Sequence, residues 1–212
     1  MKKAMLLLMA VTMAIATSCK KDSETEIEPV SPPDFTKLAV GNYWVFQRFD
    51  LDPEGVATPV EDWDSSYISK DTLINGYTYY KMHEKGVILN AEQQVTFLRD
   101  SLDYLVNQFG QILFAQNNFT DTLYRDNTAP GLFYTYTMMH GKDSIIEVPA
   151  GTFTSRTIRT SVFPVNPFGP HPVRYCFTVF GEGVGKIKTH NFFYGSDKHF
   201  EKRLVRYNVN KK

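Results

Sequence analysis

Asp50, Asp52 and Glu54 alternate ahead of Gly55, and Glu61 follows six residues later. Carboxylates at alternating positions, a turn-making glycine and a late Glu are what a Ca²⁺ loop requires. The flanks are strand-like and Pro53 and Pro59 stiffen the stretch, so an acidic hairpin tip competes with that reading. Gly181-Glu182-Gly183-Val184-Gly185-Lys186 has the glycines of a phosphate cradle. It lacks the Ser or Thr after Lys and the following helix, so a turn or bulge between strands is expected instead. His83, His140, His171, His190 and His199 show no ligand spacing, and no Gly-x-Ser-x-Gly elbow occurs. Cys176 lies in the apolar run Val173–Phe177 and reads as a small core residue. Trp44 and Trp63 are candidate stacking platforms for a sugar ring. These residues give no nucleophile with its base and no strong metal set. The expectation is a non-enzymatic protein without a cofactor or a resident metal.

The elements that would carry these residues are strands. Aromatics make up 14% of the chain, with 12 Tyr and 16 Phe, which favours sheet over helix. Nine turn signals punctuate the chain: Asp52–Gly55, Asn75-Gly76, Phe109-Gly110, Ala129–Gly131, His140–Asp143, Pro149–Gly151, Phe168–Pro170, Gly181–Gly183 and Gly195–Asp197. That rhythm predicts an antiparallel all-β meander of roughly ten to twelve strands, curled into a barrel or half-barrel or folded as a sandwich. Trp44 and Phe46 point to one face of their strand; Tyr43, Val45 and Phe49 point to the other. Val95–Phe114 reads as two or three short strands, Thr152–Phe163 as a long exposed strand, and Asp34–Leu38 as a short entering helix.

Ahead of the domain, Lys2 and Lys3 precede an apolar run from Ala4 to Ala16, broken only by Thr12. It is shorter than the roughly 20 residues a membrane span needs and has the layout of a signal peptide. Ala16-Thr17-Ser18-Cys19 resembles the lipobox of bacterial lipoproteins. The resemblance implies cleavage after residue 18 and acylation of Cys19, with palmitate-like chains holding the protein to a membrane. Three segments follow from this: 1–18 signal peptide, 19–34 lipid-anchored flexible linker, and 35–210 a single all-β domain. Acidic residues, Ser, Thr and Pro dominate Lys20–Pro33, which leaves that linker unable to bury enough surface to order itself. Lys21-Asp22-Ser23-Glu24 resembles the export signal of Bacteroidota lipoproteins, which implies the outer membrane and its outward face.

Loss of residues 1–18 removes Lys2 and Lys3, leaving 21 basic against 23 acidic residues and a net charge of −2. A nucleic-acid partner would call for a clustered basic excess, so none is expected. Val40–Phe46, Val148–Phe153 and Gly183–Ile187 resemble landmarks of uncharacterised Bacteroidota surface lipoproteins. That resemblance implies an all-β envelope domain and supplies no catalytic residue. Asp71-Thr72-Leu73, Asp100-Ser101-Leu102, Asp121-Thr122-Leu123 and Asp143-Ser144-Ile145 resemble the O-glycosylation sequon of Bacteroidota envelope proteins, making Thr72, Ser101, Thr122 and Ser144 candidate glycan sites. The competing reading is strand-entry chemistry.

The expected function is a monomeric, surface-held β domain that binds a glycan or a partner protein. An envelope carrier holding a lipid or apolar ligand in its curved sheet is the alternative, and a hydrolase ranks last. Cys19→Ala should leave uncut precursor and move mature protein out of the detergent phase. Unchanged membrane partitioning of that variant would remove Cys19 as the anchor.

Overall fold

A computed structural model describes residues 34–85, 93–129, 131–165, 172–193 and 196–210. Contacts divide the chain after Pro32, and the fold below is that of the second unit, Pro33–Lys212. The signal segment, Cys19 and the linker up to Pro33 lie outside the described residues, as do Phe168–Pro170, His171 and Gly195.

The described residues form twelve strands: β1 (Tyr43–Leu51), β2 (Ala57–Ile74), β3 (Tyr77–Lys85), β4 (Gln93–Ser101), β5 (Tyr104–Asn107), β6 (Ile112–Ala115), β7 (Thr122–Ala129), β8 (Phe133–Val148), β9 (Gly151–Pro164), β10 (Arg174–Gly181), β11 (Gly185–Phe192) and β12 (His199–Asn208). They form one antiparallel sheet in the order β6-β5-β4-β3-β2-β1-β12-β11-β10-β9-β8-β7. Every ladder is a sequential hairpin except β1 with β12, which joins the first strand to the last. The edges β6 and β7 are consecutive in sequence, so the meander is a nearly closed barrel with its seam between them. The expected all-β meander is therefore present, as a barrel rather than a sandwich.

Local chemistry explains the hairpins. Asn75 and Gly76 both have positive φ (50° and 80°), the geometry that two-residue turns need to match strand twist. Val95–Phe114 is strand, as β4, β5 and β6. Three expectations need correcting. No helix forms at Asp34–Leu38: the Asp34 carboxylate accepts the N–H groups of Thr36 and Lys37 as a helix cap would. Lys37 then turns left-handed (φ 47°), which ends any helix before its first turn. His140–Asp143 is not a turn between strands but an irregularity inside β8, with register shifts on both sides of Gly141. Asp143 sits there at φ 53°, and a Cβ on Gly141 would lie 3.3 Å from Thr157. Finally, β9 is internal, paired with β8 and β10, and buries Ser155, Arg156, Ile158, Ser161 and Val162.

One end of the barrel is closed. Phe35 and Leu38, each 1% exposed, enter it from the segment before β1. Asn42 ties that segment down: its side chain donates to the Lys37 carbonyl (2.8 Å) and accepts from the Asn210 N–H (2.9 Å). The indole N–H of Trp44 donates to the Val184 carbonyl at 2.7 Å, and Gly183 N–H donates to the Asp34 carbonyl at 2.8 Å. The β8–β9 turn leans on β12 through Ala150 N–H to the Leu204 carbonyl (3.0 Å), and Phe153 meets Tyr207 edge-on. The three sequence landmarks thus converge on one task, which is sealing this end.

Gly181 is the tightest point of the seal. A Cβ there would fall 2.9 Å from Ile187 Cγ2 and 3.1 Å from Phe153 Cβ. Gly181→Ala should lower stability by about 1–3 kcal/mol through overpacking. A chemical melt within a few tenths of a kcal/mol of the parent would show that Phe153 and Ile187 move aside.

Candidate functional site

The barrel interior holds a cavity of about 380 Å³. Side chains from β1 through β11 and from Thr36 and Leu38 line it, so it is the lumen itself and not a surface cleft. Its apolar wall comes from Trp44, Phe46, Met82, Leu98, Leu105, Leu113, Ile158 and Phe180. These positions alternate along their strands with residues facing outward, which is why so much aromatic and aliphatic sequence is consumed by one face. Thr96, Thr137, Thr160, Thr178 and Thr189 add hydroxyls, and Asn191 adds an amide.

Charge enters at one side. Glu84 on β3 and Lys186 on β11 also line the cavity and form an ion pair. Three strands, β2, β1 and β12, separate β3 from β11 in the sheet, so the pair bridges the inner face of those strands at one side of the lumen. Ser66 Oγ donates to Glu84 at 3.3 Å. Burial pushes the Glu84 carboxyl up, but Lys186, Ser66 and Lys202 together outweigh it and hold the carboxyl below its usual range. Next to this pair Lys202 donates to Asp64 at 2.7 Å. A smaller pocket of about 100 Å³ lies among Asp64, Glu84, Lys186 and Lys202, with Lys85 and Gln94 beside them.

A second cluster joins the ends of β10, β11 and β12. Arg174 Nη2 meets His199 Nε2 at 3.2 Å, His199 Nδ1 meets His190 Nε2 at 2.9 Å, and His190 Nδ1 lies 3.6 Å from Glu201. Arginine only donates, so His199 Nε2 accepts and its proton sits on Nδ1. His199 Nδ1 then donates to His190, whose own N–H faces Glu201. Burial, then the charges of His190 and Arg174, hold His199 below the ordinary imidazole range. Glu201 also takes Lys188 (3.0 Å) and Arg203 (2.6 Å). Burial alone would raise its pKa; His190, Lys188 and Arg203 overcome this and bring it down to about 2.

The sequence candidates are placed as follows. Asp50 pairs with Arg48 at 2.6 Å, and Asp52 accepts the Val56 N–H at 2.6 Å inside the β1–β2 hairpin. Glu54 lies in that same tip and Glu61 lies on β2. Among the described residues no group of three or more His, Cys, Asp or Glu is arranged to hold a metal ion. Gly181–Gly185 is the β10–β11 turn, and Lys186 leaves it toward Glu84. Cys176 is half-buried on β10, and burial pushes its thiol up, away from nucleophile chemistry. Trp44 is 3% exposed and faces the lumen, whereas Trp63 is 48% exposed. The two cannot form one outer stacking platform. Thr122 and Ser144 are exposed, Thr72 and Ser101 half-buried; only Thr122 begins a strand. The Glu84–Lys186 and His190–His199–Glu201 groupings escaped sequence reading. The first joins residues about a hundred positions apart, and the second depends on strand register.

Two solved structures are similar in fold. One is a presumed lipoprotein from Parabacteroides distasonis ATCC 8503, with a TM-score of 0.52 and 10% identity over 83% of this chain and 99% of that one. The other is a presumed exported protein with a YmcC-like fold from Bacteroides fragilis NCTC 9343, with a TM-score of 0.50 and 9% identity over the same shares. At such identity the likeness is one of fold. No protein-family model and no curated protein matches the sequence.

The Glu201 shift sets an acid response. Its folded pKa of about 2 lies below the ordinary 4.5, so the stability it contributes is complete above pH 4.5 and is lost as pH falls toward 2. His199, also held down, adds a loss that begins near pH 6.5. The Glu201 share should be roughly 1–3 kcal/mol, discounted for the solvent that reaches its basic partners. Glu201→Gln should start lower at pH 7 and lose less between pH 4.5 and 2. Parallel pH–stability curves would show that Glu201 does not supply the acid sensitivity.

Proposed function

We propose that this protein is an envelope carrier: a β-barrel, tethered through Cys19, that holds a small apolar or amphipathic molecule in its lumen without transforming it. The observation that carries this reading is the 380 Å³ cavity with its mostly apolar wall. Ligand sites typically occupy about 300–1,000 Å³ and are lined by apolar side chains with a few placed polar groups. The glycan reading loses weight because Trp44 faces inward. The two solved structures, presumed to be exported or lipoproteins, support an envelope setting. On this reading the tether of residues 19–34 hangs the barrel from the outer membrane, facing out as Lys21–Glu24 suggests.

Purified mature barrel should take up a lipophilic fluorescent probe such as N-phenyl-1-naphthylamine saturably, with one site per chain. Thr160→Phe adds a ring to the lumen wall and should weaken uptake at least tenfold while the protein still melts cooperatively. Non-saturable uptake, or equal uptake by the filled variant, would place the probe outside the lumen and end the carrier reading.

A further inference from the structure

We propose that the lumen selects a single-chain amphiphile of about fifteen carbons whose head is uncharged overall and carries hydroxyls, of the monoacylglycerol kind. This rests on the carrier reading above and adds the ligand's class to it. Size comes first. A cavity of about 150 Å³ holds a benzene ring, so 380 Å³ filled equally well holds roughly fifteen carbons. A second acyl chain has no room.

The head is set by the charged side of the lumen. Side-chain exposure is 33% for Glu84 and 27% for Lys186, against 10% for Asp64 and 13% for Lys202. Glu84 and Lys186 both line the large cavity, whereas Asp64 and Lys202 do not. A ligand in the lumen therefore meets the first pair, and the second pair is packed behind it. Glu84 pairs with Lys186 and Asp64 with Lys202, while the neighbouring Lys85 is taken by Asp62 at 3.3 Å, so the group is neutral as it stands. A carboxylate head would leave it one negative charge in excess, and an ammonium head one positive; an uncompensated charge away from water is strongly unfavourable. A hydroxyl donates and accepts at once. It can donate to Glu84 and accept from Lys186 while both stay ionised. The threonine hydroxyls of β4, β8, β9, β10 and β11 give further hydroxyls of a glycerol head partners of their own kind.

The test is calorimetric titration of the mature barrel with three amphiphiles of equal chain length below their micelle concentrations: 1-monolauroylglycerol, laurate and dodecylamine. The parent should prefer the monoacylglycerol by tenfold or more. Glu84→Gln leaves Lys186 unmatched and should shift preference toward laurate by at least tenfold. Lys186→Met leaves Glu84 unmatched and should shift it toward the amine. The double variant Glu84→Gln/Lys186→Met is neutral again and should return to the monoacylglycerol, which separates charge matching from damage to the fold. Dilauroyl-phosphatidylethanolamine should not bind. If all proteins rank the three heads alike while still binding them in the lumen, the carrier reading stands and the head assignment falls. If none of the amphiphiles binds, both fall.

Discussion

The width of the sheet governs everything else in this molecule. A closed barrel of about eight strands is just wide enough for its own side chains to fill. This sheet has twelve, nearly closed, so the strands alone leave space along the axis. At one end the chain fills that space with pieces that are not wall: Phe35 and Leu38 from the segment before β1, and the β8–β9 and β10–β11 turns packed around Trp44 and Phe153. Among the described residues nothing comparable is inserted farther along the axis, and the 380 Å³ cavity is what they leave over. The lumen therefore follows from strand number together with a plug at one end.

The same geometry leaves a seam. β6 and β7 are not joined by a ladder, and side chains take over. Gln111 donates to the Tyr124 hydroxyl at 2.8 Å, Ala115 N–H meets Met139 Sδ at 3.5 Å, and Arg156 reaches the Gln116 carbonyl. Arg156 also lies over the Phe35 ring at 4.6 Å and within 3.5 Å of Asp143, so it binds the seam to the plug. Each such bond contributes about 0.5–1.5 kcal/mol net. Parting β6 from β7 costs a few side-chain bonds, whereas parting any other pair of neighbours costs a ladder. The wall of the lumen is weakest where Tyr124, Leu113 and Ile112 line it.

Strands were legible because their signals are local. Asn75-Gly76 can hardly be anything but a tight turn between two β-branched and aromatic runs, and Trp44 with Phe46 announces a buried face two residues at a time. His140–Asp143 misled because glycine and a left-handed Asp serve a bulge as well as a turn, and only pairing with β9 decides between them. The lumen's charged side was illegible for a different reason. Glu84 sits in His83-Glu84-Lys85, where it looks like a solvated strand end, and Lys186 follows a glycine-rich turn that looks like surface. Only closure of the barrel brings them together.

That closure makes the charged pair a question of purpose rather than stability. Taking a carboxylate and an ammonium out of water costs several kcal/mol for each ion, and their attraction roughly offsets it; well-packed apolar residues of similar size serve a fold as well or better. Phe46, Met82 and Leu98 show that apolar side chains fit this wall. Stability gives no reason to set Glu84 and Lys186 on this wall, or to back them with Asp64 and Lys202. The proposed carrier role gives one. An apolar lumen discriminates poorly among greasy molecules, because each methylene contributes only about 0.8 kcal/mol regardless of what it is attached to. On the carrier reading proposed above, fixed charges held at one side would convert the head of the ligand into the discriminating feature, and balancing them would let the empty barrel stay folded.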